Sequence, residues 1–208
     1  IISLIGMSNS GKTYWAKKLE KVGFYRFSCD DFIEQKLEKE QRNLGFSGIR
    51  DVAKWLGQPY HKQYFPNSKK YLDFEMESLK EIMGKIRKGV ISENTVIDTT
   101  GSVIYSGNEI MEDLAKSSII LYLDTPSSIK QRMCELYFQS PKPVIWGDSF
   151  KKINGETDLE TLKLCYPNLL EYRNRKYKRY AKLILDYFLL RKPNFSANDF
   201  LTLIRKKL

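Results

Sequence analysis

Apolar residues follow two rhythms along this chain. Short continuous runs recur at 1–5 (Ile-Ile-Ser-Leu-Ile), 24–27 (Phe-Tyr-Arg-Phe), 95–98 (Thr-Val-Ile-Asp), 118–123 (Ser-Ile-Ile-Leu-Tyr-Leu) and 183–185 (Leu-Ile-Leu). Runs of this length without alternation belong to parallel strands covered on both faces. Elsewhere apolar residues return every three or four positions, as in amphipathic helices. This rhythm predicts helices over 13–21, from Asp30 through Phe32, Ile33 and Leu37, and over about 70–88, 107–116, 127–138, 159–181 and 196–206. Ser47 is placed to cap a further short helix that ends at Gly57. Residues 58–69 read as a polar-aromatic loop, and 139–157, with Pro141, Pro143, Gly147 and Gly155, as a mobile one.

Strands alternating with helices predict an α/β fold: a five-stranded parallel sheet flanked by helices, with right-handed crossovers. The 208 residues suit one such domain. We assign it to 1–187, with 139–157 as a short lid and 188–208 as a helical extension. There is no internal repeat and no low-complexity segment.

Composition adds little and excludes some things. No apolar run approaches the roughly 20 residues of a membrane span. The sequence opens without a methionine, so further residues, a targeting segment among them, would lie outside it. Cys29, Cys134 and Cys165 lack metal-ligand spacing and read as free thiols in a reducing, cytoplasmic setting. The net charge of +10 attracts anions. The lysines are spread along the chain, however, which does not favour a dedicated nucleic-acid surface. We expect a monomer, with no membrane partner.

Specific chemistry begins at residue 6. Gly6-Met7-Ser8-Asn9-Ser10-Gly11-Lys12-Thr13 is a complete G-x-x-x-x-G-K-T phosphate-binding loop between a predicted strand and a predicted helix. Glycines let the backbone fold tightly, so successive N–H groups and a helix N-terminus face negative charge. Gly6, Ser8, Asn9, Ser10, Gly11, Lys12, Thr13 and Tyr14 thus form the expected nucleotide-binding set. Lys12 reaches for the β- and γ-phosphates, and the Thr13 hydroxyl is a Mg²⁺ ligand. Two acids stand at strand ends, where ligands gather in open α/β sheets. Asp30 is placed to accept a hydroxyl proton, and Asp98 to support Mg²⁺. Asp31 suits the first turn of a helix. His61, the single histidine, sits in a polar loop and reads as exposed.

The order of these pieces resembles shikimate kinase and its relatives among the P-loop, nucleoside-monophosphate-kinase-like proteins, over roughly residues 2–187. Aligned on Ile33-Glu34, Asp30 matches the family's substrate-hydroxyl aspartate, and Ser28 stands where an aspartate near Mg²⁺ is usual. The segment Ile49 to Leu56 and Gly57 matches the region that follows. Thr100-Gly101-Ser102 stands for a triple glycine that holds substrate. Lys142-Pro143-Val144-Ile145 looks like the lid motif, which implies a catalytic Lys142. Arg173, in Arg-x-x-x-Tyr-x-x-x-Ala, matches the arginine on the substrate carboxylate, and Arg132 the one beside adenine. The chain departs from the pattern at Leu72, where a second substrate arginine is usual, and in a longer loop at 58–69, whose Lys62 or Lys69 is placed to substitute. Trp15-Ala16, Gly23-Phe24-Tyr25 and Asp30-Asp31-Phe32 also resemble the start of the polynucleotide 5′-kinase domain, which likewise implies Asp30 as base.

The resemblance implies ATP and Mg²⁺ as cofactors and transfer of the γ-phosphate to a hydroxyl of a small, anionic acceptor. Asp30, Gly101 and Arg173 would meet that acceptor, with Lys12, Asp30 and Lys142 as catalytic residues. Two other readings stand beside it: a nucleic-acid 5′-end or nucleoside kinase, and a nucleotide-binding protein that has lost turnover.

Overall fold

The computed structural model describes residues 1–40, 48–91, 94–139 and 142–208. Ser47 and Pro141, named above as a cap and a loop residue, lie outside the described residues. Five strands, β1 (Ile2–Ile5), β2 (Tyr25–Ser28), β3 (Thr95–Asp98), β4 (Ile119–Leu123) and β5 (Leu183–Leu185), form one sheet in the order β2-β3-β1-β4-β5. Every pairing is parallel. Among the described residues, eight α-helices connect and cover the strands: α1 (Lys12–Glu20), α2 (Cys29–Glu40), α3 (Ile49–Leu56), α4 (Tyr64–Arg87), α5 (Asn108–Ser117), α6 (Ser127–Gln139), α7 (Asp158–Tyr180) and α8 (Ala197–Lys207).

The unbroken apolar strands have their reason in two packed faces. In β4, Ile120 and Tyr122 point into a large core built with α2 to α7, while Leu121 and Leu123 point into a second core with α1 and α8. In that second core Trp15 of α1 stacks on Phe200 of α8, ring centroids 4.7 Å apart. The segment after β5 is therefore part of the sheet's covering. Ser196 starts α8 with a capping box closed by Asp199.

Two expectations change. Residues 64–69, read as loop, are the first turns of α4. Pro66 falls in the first turn, where its missing N–H has no helical partner to lose. The composition of 139–157 predicts a mobile loop. Its centre is instead buried: Val144, Ile145 and Trp146 are all under 7% exposed. The Tyr64 hydroxyl donates to Val144 O (3.1 Å) and accepts from Trp146 N (2.7 Å). Trp146 also packs edge-on to Tyr137, Phe150 and Tyr166.

Candidate active site

Parallel register sets the site. Leu4 of β1 lies beside Asp98 of β3, and Asp98 beside Ser28 of β2. The carboxyl ends of three neighbouring strands thus deliver the phosphate loop, Asp98 and Asp30 to one edge of the sheet.

The loop after β1 turns sharply at Gly6, φ +148°, where a Cβ would lie 2.9 Å from Leu123 O and from Ser10 Oγ. Only glycine fits there. Asn9 takes a left-handed φ of 64°, and Gly11 one of 105° at the start of α1. Lys12 is buried and donates to Gly6 O (2.7 Å) and Met7 O (3.0 Å), which folds it over its own loop. Burial pushes its ammonium below the usual range, against the pull of Asp98 and Asp30. Lys142 reaches the loop from the lid and donates to Asn9 Oδ1 (2.7 Å). From the other side Arg191 donates to Ser10 O (2.9 Å), its guanidinium 3.5 Å from the centre of the Tyr187 ring.

Asp98 is almost fully buried. Its Oδ2 lies 3.6 Å from Arg26 Nη2, while Oδ1 has no hydrogen-bond partner among the described residues. Burial raises its carboxyl, opposed by Lys12, the Thr13 hydroxyl and Arg26. Arg26 also meets Asp31 at 3.3 Å, so Asp31 is turned toward the β2 edge. Ser28 Oγ accepts from Asp31 N (3.2 Å) and serves the first turn of α2. Asp30, in that turn, receives the Tyr71 hydroxyl on Oδ1 at 3.5 Å. Burial, with Asp98 and Asp31 adding repulsion, lifts its pKa from 3.8 to about 6 despite Lys12 and Lys142. A carboxylate poised near neutrality is suited to take a hydroxyl proton.

Beyond β3, Thr100-Gly101-Ser102 is held from beneath by Glu75, fully buried on α4. Glu75 accepts from the Thr100 hydroxyl and from Ser102 Oγ (2.7 Å). Burial pushes its pKa up to about 7, against these two hydrogen bonds. Gly101 is closely packed: a Cβ would lie 3.3 Å from both Arg173 Nη1 and Ser8 Oγ. Arg173 itself is 4% exposed and donates through Nη2 to Ile145 O at 2.8 Å, an anchor for the lid.

A cavity of about 270 Å³ joins these parts. Of the residues singled out in the sequence, it brings together Ser8, Asn9, Gly11, Lys12, Thr13, Tyr14, Asp30, Gly101 and Lys142. Gly6, Ser10, Asp98 and Arg173 lie behind its walls, and Arg132 is exposed on α6 away from them. Ser102 and Ile49, from segments matched by the resemblance, also line it, as does Tyr71, and Glu75 supports it; neither Tyr71 nor Glu75 was singled out as a site residue. The signal for Glu75 is its place as a carboxylate on the apolar face of a long helix. A second cavity of about 470 Å³ shares Gly11 and Tyr14 with the first and runs along Trp15, Arg191, Pro193 and Phe195.

No cluster of three or more His, Cys, Asp or Glu suited to a metal exists among the described residues. Magnesium in phosphate chemistry does not require one, since it takes one or two protein oxygens together with phosphate and water. Asp98 Oδ1, buried and unpartnered beside the Thr13 hydroxyl, fits that need.

No protein-family model matches the chain, and no curated protein matches it in sequence. Solved structures do match its fold. Shikimate kinase from Bacteroides thetaiotaomicron aligns at TM-score 0.60 with 19% identity, over 99% of this chain and 96% of that one. The enzyme from Acinetobacter baumannii, in complex with shikimate, aligns at 0.57 with 21% identity, over 99% and 92%. That from Aquifex aeolicus aligns at 0.56 with 17% identity, over 99% and 96%. The five-stranded parallel sheet with its flanking helices is therefore the P-loop kinase fold of the shikimate kinases, over the whole length of this chain.

Proposed function

We propose that the chain is an ATP-dependent kinase that phosphorylates a hydroxyl of a small acceptor. The observation that carries this reading is a single cavity with the phosphate loop and Lys12 on one wall and Asp30 on the other. Loop amides and Lys12 hold the phosphates, and Lys142 neutralises charge that develops on the transferred group. The second cavity, along Tyr14, Trp15 and Arg191, continues from the loop and suits the nucleoside end. Thr13 and Asp98 would hold Mg²⁺, which draws charge from the phosphate oxygens when bound. Asp30 takes the acceptor's hydroxyl proton. That oxygen bonds to the γ-phosphorus as the bond from phosphorus to the β–γ bridging oxygen breaks, and ADP leaves.

The test is transfer of labelled γ-phosphate to a panel of small alcohols, shikimate included. Asp30→Asn should lower the rate by about 10²- to 10⁴-fold, and Lys12→Ala should abolish it. Full activity in either variant refutes the assignment.

A further inference from the structure

The strand run Phe24-Tyr25-Arg26-Phe27 carries one charge among aromatic residues. Side chains alternate along a strand. Phe27 enters the large core, so Arg26 and Ser28 take the other face, beside their β3 partners Val96 and Asp98. That face belongs to the second core, built with α1. The Arg26 side chain is only 13% exposed there, and its Nε is buried with no hydrogen-bond partner among the described residues. Burying a guanidinium to this degree is costly unless a carboxylate meets it. Arg26 meets two through one nitrogen: Nη2 lies 3.6 Å from Asp98 Oδ2 and 3.3 Å from Asp31 Oδ2.

The two carboxylates are unlike. Asp98 is 3% exposed and Asp31 59%. A guanidinium does not give up its charge in proteins. Arg26 is therefore a permanent cation held against the buried carboxylate on which a metal would depend. Lys12 acts on Asp98 and on Asp30 in the same sense. A divalent cation arriving alone meets carboxylates that already have cations beside them. Nucleotide phosphates change the balance, because they bring negative charge and further oxygen ligands. Arg26 can then release Asp98 and keep a partner, since the same nitrogen already lies closer to Asp31.

We infer that Arg26 makes the metal site conditional on nucleotide: it is the resting counter-ion of Asp98, and Asp31 holds it when Asp98 turns to a divalent cation carried in with the phosphates. Arg26 and Asp31 are positioning residues in this exchange of one ion pair for another. The inference rests on the kinase reading above, in which Thr13 and Asp98 hold the metal.

The test measures binding of Mn²⁺, a paramagnetic stand-in for Mg²⁺, to the full chain by the loss of its free electron-spin resonance signal. Without nucleotide, Arg26→Gln should bind Mn²⁺ about tenfold more tightly than wild type, because Asp98 has lost its counter-ion. A residue that merely orients Asp98 predicts the reverse, a loss of about 10- to 100-fold. That loss, or an unchanged affinity, overturns the inference. Asp31→Asn tests the other half and removes only an exposed ion pair, which contributes little to folding. Calorimetry with a non-hydrolysable ATP analogue, in Mn²⁺ and in EDTA, gives the gain in affinity that the metal confers. In Asp31→Asn this gain should shrink about tenfold, because Arg26 has no second carboxylate to hold it. An unchanged gain overturns the inference, whether or not Arg26→Gln folds. Equal binding of the analogue by wild type in Mn²⁺ and in EDTA overturns the metal assignment in the kinase reading, and this inference with it.

Discussion

Asp30 is placed where its charge is useful and costly at once. Its carboxyl is lifted from 3.8 to about 6, chiefly by burial. At about 1.4 kcal/mol per pH unit, the charged form carries a penalty of about 3 kcal/mol in the folded state. The sign follows from linkage. The raised pKa makes the folded state bind the proton more tightly, so this group's stabilising contribution is complete below pH 3.8 and is lost as pH rises through 6. Asp30→Asn keeps the shape and removes the titration. Relative to wild type, the variant should therefore gain up to about 3 kcal/mol between pH 4 and pH 7.5, while transfer collapses. Urea denaturation of both proteins at several pH values isolates the effect, because other titrating groups cancel in the difference. A difference that does not change with pH, or that grows toward acid, would refute the burial argument. Transfer by the wild type should in turn rise with pH through about 6 and then level.

Three further outcomes follow from the packing. Gly6→Ala forces a Cβ to 2.9 Å from Leu123 O at φ +148°. It should cost about 1–3 kcal/mol and weaken binding of an ATP analogue measured by calorimetry; unchanged stability and affinity would show that the turn is not constrained. Trp15→Ala removes the ring stacked on Phe200 and should cost about 3–5 kcal/mol in chemical denaturation; a loss under about 1 kcal/mol would mean that α8 is not held by this contact. Tyr64→Phe leaves Trp146 N and Val144 O without their common partner. It should cost about 1–3 kcal/mol and speed hydrogen exchange at Trp146, and protection equal to wild type there would refute the lid anchor.

The phosphate-loop side of the cavity was legible because it is local. Residues 6–13 occupy one turn between a strand and a helix, so spacing alone dictates their geometry. Asp30 and Asp98 were legible because short apolar runs end in acids, and parallel strands gather such ends at one edge. The strand and helix rhythm read well for the same reason: periodicity records which face is covered. Where local signals conflicted, reading failed. Pro66, which looked like a loop marker, is tolerated in the first turn of α4. The proline- and glycine-rich lid looked free, yet Trp146 is buried at its centre.

The opposite side of the cavity depended on residues far apart in sequence. Glu75 of α4, Thr100 and Ser102 after β3, and Tyr71 facing Asp30 meet only once the helix is laid across the sheet. In a one-dimensional reading Ser102 belongs to the segment that stands for a substrate-holding triple glycine, and Arg173 matches an arginine on a substrate carboxylate. Their hydrogen-bond partners, Glu75 and Ile145 O, are visible only in three dimensions. The sequence by itself thus determined the form of the loop at 6–13, since the strand end, the glycines and the helix start that shape it lie within a few residues of one another. Tertiary structure decided how the opposite side of the cavity is built, because Asp30, Tyr71, Glu75 and Ser102 are distant in sequence and meet only where α4 packs across the strand ends.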